Sequence, residues 1–180
     1  AAKKGQGAVS YGSWGVGSPG HLGGEWLDLV DGTQMTHVPF REVSQLFTSV
    51  ANGDPAWSLA SIPSSQGIYK SGKIRYLAVA APKRIAQMPD VPTVAEAGGP
   101  AELDVNSFVS LLSPKGVDAA VRDKIRSDVV AVLQDPQVKE KFSTFAFQPM
   151  SFTVPEMQQF AKKKSEQYKL LIEKAQISLD

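Results

Sequence analysis

The 180-residue sequence contains no cysteine, which excludes disulfides and thiol chemistry without choosing a cellular compartment. An excess of charge of one sign is also missing, because 19 Lys and Arg stand against 18 Asp and Glu, for a formal net charge of +1. Such a balance provides no overall field that would attract nucleic acid or an anionic membrane. We therefore expect no nucleic-acid partner, and any anion must be bound locally.

Long hydrophobic runs are absent as well. No apolar run approaches the ~18 to 20 residues that span a bilayer, so we do not expect the chain itself to be a membrane component. Its first residues, AAKKGQGAVSYG, lack the apolar core of a secretory leader, and a mature or truncated product would look the same.

Histidine is scarce, with only His21 and His37 in the sequence. Two histidines without a clear carboxylate partner do not make a metal site, and we expect such residues to act mainly as structural hydrogen-bonding groups. We predict no metal and no cofactor. His21 falls in the first turn of a predicted helix, where it could also face a ligand.

The most informative stretch, residues 9–30, changes from a strand pattern to a helix pattern across a run of glycines. Gly15 and Gly17 permit backbone conformations closed to other residues, Ser18 is a favoured N-cap, and Pro19 suits the first helical position. A helix start of this kind has unpaired N–H groups and a partial positive charge, so it can bind a carboxylate or a phosphate. The helix itself is predicted from the apolar spacing of Leu22, Trp26, Leu29 and Val30.

Three more glycines, Gly20, Gly23 and Gly24, fall in the first two turns of this predicted helix. Each costs about 1 kcal/mol in helix propensity relative to alanine, which suggests that something approaches the backbone closely. We interpret that close neighbour as an anion or ligand. The alternative is close packing of the helix on a strand.

Strands and helices alternate along the chain as far as residue 81. Right-handed crossovers between such strands produce a parallel sheet with helices on both faces, so the predicted fold class is α/β. The last strand is a continuous apolar run of the type buried on both faces. A short helix should begin where Thr93 and Glu96 have the spacing of a capping box. The predicted strands are residues 9–13, 35–38, 57–62 and 74–81, and the predicted helices between them begin near residues 18, 43 and 63.

Helices dominate beyond another predicted strand at residues 108–112. These helices present more apolar surface than the predicted sheet can cover. They either form an extra layer on the first domain or complete another domain whose strands come from elsewhere. The predicted helices begin at Asp118 as N-cap, at Pro136 and near Pro155, the segment 145–150 is a candidate strand, and Lys162 to Lys164 are expected to form a solvated face.

Gly15, Gly17 and Gly20 satisfy G-x-G-x-x-G between a strand and a helix, so a dinucleotide site is one alternative. That site also needs an acidic residue about 20 positions later, where this chain offers only Arg41 as a possible partner for a 2′-phosphate. Ser61 is a further candidate because it ends a predicted strand, and ligands of open parallel sheets gather at the carboxyl ends of strands. Its alternative role is to cap the next helix.

Four segments of the chain resemble one protein family, and the similarity runs from about Ser10 to the C terminus. The segments read GSWGVGSPGHLGGEW, THVPFRE, GKIRYLAV and RIAQMPDVPTVAEAGGP, and their spacing also agrees. The family is that of the solute-binding receptors of tripartite tricarboxylate transporters, the TctC or Bug proteins. The PDVPTVAEAG segment is its most specific signature.

This resemblance implies a periplasmic-binding-protein fold, with two α/β domains and a ligand in the cleft between them. Residues 1–107 would form the α/β ligand-binding domain, which is the second domain of the family. Residues 108–180 would be a crossover strand and C-terminal helices that complete the first domain, whose N-terminal part this chain lacks. That arrangement would account for the surplus of apolar helix surface.

The implied function is that of a non-enzymatic periplasmic receptor, made with a signal peptide in its precursor. Its partners would be a small carboxylate ligand, membrane transporter subunits and the missing N-terminal half of the same protein. The chain departs from the family pattern at residues 38–42, where the family usually reads VPYKG, and at Ala56 and Ala60, where acidic residues are common. These departures leave the identity of the ligand open.

Two other classes of function remain as alternatives. One is the ligand-sensing effector domain of a transcription regulator, which can share this type of fold. The other is a dinucleotide-dependent oxidoreductase. For the receptor, the predicted ligand site lies at the turn before the first helix and at the end of the third strand, and consists of Ser13, Gly15, Gly17, Ser18, Gly20, His21 and Ser61.

Overall fold

The computed structural model describes residue 7, residues 9–101, 103 and 105, and residues 108–150 and 152–178. Within these residues it contains three strands and six helices. The strands are β1 (Ser10–Ser13), β2 (Thr36–Pro39) and β3 (Trp57–Ser58), and the helices are α1 (Pro19–Asp31), α2 (Val43–Ala51), α3 (Ile62–Lys70), α4 (Ala119–Val132), α5 (Pro136–Thr144) and α6 (Val154–Lys174).

The strands form one parallel sheet in the order β2-β1-β3. The chain leaves central β1 toward β2 through α1 and then passes to the other side of β1 through α2, so right-handed crossovers place these helices on opposite faces. A Cβ added to Gly24 of α1 would overlap the Tyr11 ring, whereas one added to Gly12 would overlap Leu46 of α2. Because adjacent strand residues point to opposite faces, these contacts confirm the prediction of a parallel sheet covered on both sides.

The glycines inside α1 lie where the helix packs most closely. A Cβ at Gly20 would be 2.9 Å from the Trp14 ring, one at Gly23 would be 3.0 Å from the side chain of Val105, and one at Gly24 would overlap the Tyr11 ring. The packing interpretation therefore accounts for all three glycines. Ligand contact at Gly20 stays a prediction.

On the α1 face of the sheet, one aromatic side chain from each strand forms a row. Tyr11 of β1 pairs in register with His37 of β2 and with Trp57 of β3. Its ring centroid lies 5.1 Å from that of His37 and 5.3 Å from that of Trp57, both in stacked geometry. Cross-strand aromatic pairs of this kind stabilise a sheet beyond the area that they bury.

Three strand predictions are wrong. Residues 74–78 join no ladder, Val79 makes only an isolated bridge to Thr93, and Leu77 is 60% exposed rather than buried. Residues 108–112 and 145–150 also form no strand, and Val109 is 94% exposed. An apolar run becomes a strand only where a neighbouring strand pairs with its backbone groups. Among the described residues the sheet stops at β3, which is itself shorter than the predicted strand of residues 57–62.

The segment from Arg84 to Glu96 is held together by its own polar groups. The Glu96 carboxylate accepts hydrogen bonds from Arg84 Nε at 2.9 Å and from the Thr93 N–H at 2.7 Å, while the Glu96 N–H donates to Thr93 Oγ1 at 3.1 Å. The Thr93 N–H and then Arg84 lower the pKa of Glu96. The predicted capping box is confirmed, although the residues after it form turns rather than a regular helix.

The C-terminal helices begin where the sequence predicts. The Asp118 carboxylate accepts a hydrogen bond from the Ala120 N–H and caps α4, and Pro136 opens α5. The interpretation of the lysine run as a solvated face is wrong for Lys164, which is 6% exposed. Its ammonium lies 6.0 Å from the ring centroids of Phe160 and Tyr168, one turn before and one turn after it on the same helix.

The outer surfaces of α4 and α6 carry exposed apolar side chains, namely Val121, Ile125, Val129, Val130, Val132, Val154 and Leu170. Neither α4 nor α5 has a buried residue, and α6 has only Lys164 and Leu171. Across the part of the chain that the structure describes, no helix combines the length and apolar character needed to span a membrane.

Candidate functional site

The candidate site lies at the edge of the sheet formed by the carboxyl ends of the three parallel strands. The turn between β1 and α1, residues 14–18, leaves this edge from the central strand, and Ser61 follows the end of neighbouring β3. The connections from β1 and β2 run to opposite faces, and such a change of direction opens a crevice in an α/β sheet. The predicted site residues therefore lie at one edge.

The turn has the backbone geometry predicted from its glycines. Gly15 has φ +126° and Gly17 has φ +74°, values that other residues rarely adopt. Ser18 is the N-cap of α1, its Oγ accepts a hydrogen bond from the His21 N–H at 3.3 Å, and Pro19 occupies the first helical position. The helix start expected from the sequence is confirmed.

Three backbone N–H groups of the turn already donate hydrogen bonds to protein acceptors. The Gly17 N–H donates to His21 Nδ1 at 3.0 Å, the Ser18 N–H to the Gly15 carbonyl at 3.2 Å, and the Gly15 N–H to Ser13 Oγ at 3.2 Å. The Gly20 N–H, at the second helical position, has no acceptor within the helix. The Ser18 hydroxyl accepts in its cap, so its own hydrogen can still be donated to a ligand.

The two histidines stack on each other beneath this turn. The ring of His21, from α1, lies 3.9 Å from that of His37, from β2, with 15° between their planes. His37 Nε2 is 2.6 Å from Ser13 Oγ, which is also 3.0 Å from the Gly15 carbonyl. One arrangement satisfies every contact: His37 Nε2–H donates to Ser13 Oγ, and the Ser13 hydroxyl donates to the Gly15 carbonyl.

The hydrogen bonds of His21 also define its tautomer. Because Nδ1 accepts from the Gly17 N–H, the single proton of the neutral ring must be on Nε2, which faces Glu25 Oε1 at 3.6 Å. The Tyr11 hydroxyl donates to the same carboxylate oxygen at 2.7 Å. A polar network thus connects the core of the sheet, through Glu25 and His21, to the backbone of the turn.

Burial keeps both histidines neutral at pH 7. It lowers the pKa of His21, which Glu25 partly opposes, and together with the charge of His21 it lowers the pKa of His37 to about 4. Burial, followed by the hydrogen bond to Glu25, raises the pKa of Tyr11. The two neutral rings can therefore accept as well as donate hydrogen bonds.

Ser13 and His21 are buried, whereas Ser61 is exposed. Ser13, at 0% exposure, and His21, at 7%, have their polar atoms directed at protein groups, so they support the turn, and ligand contact by either stays a prediction. Ser61 is exposed at the N-cap position of α3, with its Oγ 2.7 Å from Ser64 Oγ. Its contact with a ligand is likewise still a prediction.

Sequence reasoning missed the roles of Tyr11 and Glu25. Glu25 follows His21 by four residues, a spacing that places both on one side of a helix and could have identified the pair. No comparable local signal joins Tyr11 to Glu25, because strand and helix must first pack. Within the described residues no group of three or more His, Asp or Glu could hold a metal ion.

Comparison with known proteins connects this architecture to one family. The model of the tripartite tricarboxylate transporter family receptor, TctC, matches residues 1–177. A UPF0065 protein in the gbd 5′ region of Cupriavidus necator is 30% identical over 173 residues, which cover 96% of this chain and 52% of that protein. The chain thus spans about half the length of this curated relative.

Three solved structures are similar over nearly all of the chain. An R. palustris protein with adipate has a TM-score of 0.80 at 23% identity and is matched over 98% of this chain and 59% of its own. A periplasmic transporter has a TM-score of 0.78 at 34% identity, with coverages of 99% and 59%. MatC from Rhodopseudomonas palustris with bound malate has a TM-score of 0.73 at 20% identity, with coverages of 91% and 56%.

Proposed function

The chain belongs to the TctC family of tripartite tricarboxylate transporter receptors, and from this premise we propose that it is the ligand-binding part of a periplasmic receptor for a small dicarboxylate. The receptor captures its ligand in an interdomain cleft and delivers it to membrane transporter subunits. It binds the ligand without transforming it.

The observation that carries this proposal is the β1–α1 turn at the carboxyl edge of the sheet. The positive end of α1, the Gly20 N–H with no acceptor within the helix, and the free hydrogen of the Ser18 hydroxyl all favour a carboxylate there. Ser61 presents a hydroxyl at the end of the adjacent strand. A carboxylate can be bound at such a place without an arginine.

The choice of a dicarboxylate is supported by two of the similar structures, which contain adipate and malate. Both ligands carry two carboxylates on a short chain. In the receptor, one carboxylate would lie at the β1–α1 turn, and the other would meet groups on the opposite side of the cleft.

We further propose that residues 1–107 form one domain, and that residues 108–180 complete a second domain with an N-terminal half of the same protein. The exposed apolar face of α4, with Val121, Ile125 and Val129 between 40% and 49% exposed, is what such a segment would cover. Dye binding and light scattering are the test. The chain alone should bind an apolar dye and associate, whereas a longer polypeptide should do neither.

The family match favours the receptor over both alternatives. A regulator would carry a helix-turn-helix in the same polypeptide, and an oxidoreductase would bind dinucleotides. Titration with NAD and NADP measures the second possibility directly. We expect no saturable binding.

A thermal-shift screen of the full-length protein identifies the ligand, because a ligand that binds only the native state raises the melting temperature. Adipate and malate should be included with tricarboxylates, amino acids and aromatic acids. We expect a dicarboxylate to produce the largest rise. An amino acid or an aromatic acid that produced a larger rise would contradict the proposed ligand class.

Isothermal titration of two glycine variants then locates the site. Gly17→Val places a branched residue at φ +74° in the candidate turn, and Gly53→Val imposes the same kind of strain at φ +91° in the turn before β3, at the opposite edge of the sheet. Only Gly17→Val should abolish binding. Unchanged affinity in Gly17→Val would remove this turn from the site.

A further inference from the structure

A single hydrogen bond to a histidine helps to hold the candidate turn. The Gly17 N–H donates to His21 Nδ1 at 3.0 Å, and this bond joins the glycine-rich turn to the first turn of α1. We propose that His21 is a positioning residue whose neutral ring holds the turn in the shape that binds ligand, and that protonation of His21 releases both the turn and the ligand. The effect on the ligand rests on the function proposed above.

The chemistry of the imidazole makes this bond sensitive to protonation. A neutral ring has one acceptor nitrogen, and here that nitrogen is Nδ1. An imidazolium carries hydrogen on both nitrogens, so two N–H groups would then face each other across the 3.0 Å that now separate Gly17 N from Nδ1. Either the ring or the turn must move.

Among the described residues, the Gly17 N–H donates to His21 Nδ1 and to no other acceptor. The serine hydroxyls on either side of it already have partners, because Ser13 Oγ contacts His37, the Gly15 N–H and the Gly15 carbonyl, and Ser18 Oγ accepts from the His21 N–H. A released Gly17 N–H would therefore change the geometry of a turn whose glycines already have positive φ. Residues 15–18 would then no longer present the Ser18 hydroxyl in a fixed position.

Titratable groups lie on α1 itself and on β1, β2 and α6, which pack against α1. On α1, Glu25 lies 3.6 Å from Nε2, and Asp28 is one turn further on, with its carboxylate accepting the Met35 N–H at 2.8 Å. From β1, the hydroxyl of Tyr11 bonds Glu25, and from β2, His37 stacks on the His21 ring. On α6, which packs against α1, the buried cation is Lys164.

These charges act in opposite directions. Glu25 favours a protonated His21, whereas burial and the positive end of α1 oppose it. Burial is the larger effect, and it places the pKa of His21 below 6.5. The hydrogen bond from the Gly17 N–H to His21 thus holds the turn at neutral pH and is lost on acidification. Glu25 can then pair with the protonated His21 ring.

NMR of the full-length wild-type protein without ligand tests this bond directly. At neutral pH the ring nitrogen shifts of His21 should show hydrogen on Nε2 and a bare Nδ1. As the pH is lowered from about 7.5 to about 4.5, the Gly17 amide should shift with the midpoint of the His21 titration. Hydrogen on Nδ1 at neutral pH, or a Gly17 amide that does not follow His21, overturns the proposal.

Two substitutions separate the contributions of the histidines. His21→Asn retains an acceptor near the position of Nδ1 and cannot titrate, so the Gly17 N–H should stay hydrogen-bonded at low pH. His37→Gln retains a donor toward Ser13 Oγ and serves as the matched control, because it removes the other histidine but leaves His21 in place. We expect the Gly17 amide to titrate in His37→Gln and not in His21→Asn.

Affinity for adipate, measured by isothermal titration over the same pH range, shows the consequence for binding. The ratio of wild-type to His21→Asn affinity cancels the titration of adipate itself. This ratio should fall about tenfold for each pH unit below the pKa of His21, because only the neutral fraction binds. A constant ratio would overturn the link between His21 and the ligand.

The two measurements distinguish failure of this inference from failure of the proposed function. If neither adipate nor malate binds at any pH while the Gly17 amide follows His21, the positioning role is supported and the proposed ligand class is wrong. If adipate binds and the Gly17 amide does not follow His21, the receptor function is supported and protonation of His21 does not release the turn.

Discussion

Residues 9–70 and residues 108–178 contain three helices each, but they bury them very differently. In the first region α1 alone has six buried residues, among them His21, Leu22 and Gly24. In the second region α4 and α5 have none, and α6 has two. The difference is the sheet, which gives the first region a surface to pack on.

The comparison shows that an apolar helix face indicates only that the helix needs a partner. The face of α4 has the same spacing of branched residues as a core helix, yet Val121, Ile125 and Val129 are each at least 40% exposed. Burial depends on what other elements supply.

Truncation of one leucine in each region should separate them most clearly. Leu46 of α2 is 0% exposed and Leu170 of α6 is 53% exposed. In the 180-residue chain, Leu46→Ala should lower the free energy of unfolding by about 2 to 5 kcal/mol, and Leu170→Ala by less than about 0.5 kcal/mol. Urea denaturation measures both. Similar losses for the two variants would abolish the contrast.

A methyl group added to a helical glycine should distinguish a packed helix from an open one. Gly24→Ala in α1 meets the Tyr11 ring and should cost about 1 to 3 kcal/mol in unfolding free energy. Gly67→Ala in α3 has no atom within 4 Å of the new group and should instead stabilise by about 0.5 to 1 kcal/mol. Thermal unfolding followed by circular dichroism is the measurement. Stabilisation by Gly24→Ala would show that α1 can move away from the sheet.

Acid should destabilise the first region before the second. The folded-state pKa of His37 is about 4 against an ordinary 6.5, so the unfolded chain binds more protons between these values. The histidine contribution is therefore present above pH 6.5 and lost as pH falls toward 4. After a discount for the partial exposure of His37, we expect a loss of roughly 1 to 2 kcal/mol.

The second region has its own carboxylate, Glu156, whose pKa is lowered from 4.5 by the side chain and then the backbone N–H of Thr153. Its contribution is lost only below about pH 4.5. Residue-resolved hydrogen exchange should thus show that β1 and β2 open more readily at pH 5 than at neutral pH. The opening of α6 should be the same at both. The His21→Asn, His37→Gln double variant should lose this difference, and its persistence there would exclude the histidines as the cause.

Removal of helix caps should cost the same in both regions. Ser18 caps α1 and Thr153 caps α6 through a complete capping box. Replacement of either by alanine should lower the unfolding free energy by about 1 kcal/mol, because a cap acts within one turn of the chain. Denaturant melts of the two variants are the check, and a loss several times larger for Ser18 alone would mean that its hydroxyl serves more than the cap.

The sequence predicts helix starts more reliably than strands. The starts of α1 and α4 were predicted correctly at Ser18 and Asp118, because a cap joins residues two or three positions apart. The strands at residues 74–81 and 108–112 were predicted wrongly, because a strand exists only when another strand pairs with it. The apolar pattern of these segments carries no information about that partner.

The family, the alternation of strands and helices, the helix starts and the glycine-rich turn follow from the sequence alone, because each depends on residues close together in the chain. The stacking of His21 on His37, the hydrogen bond from Tyr11 to Glu25 and the packing of the α1 glycines arise only when the helix packs on the sheet. These contacts join α1 to β1 and β2. Their geometry follows from how closely a helix lies on a sheet, which no local pattern specifies.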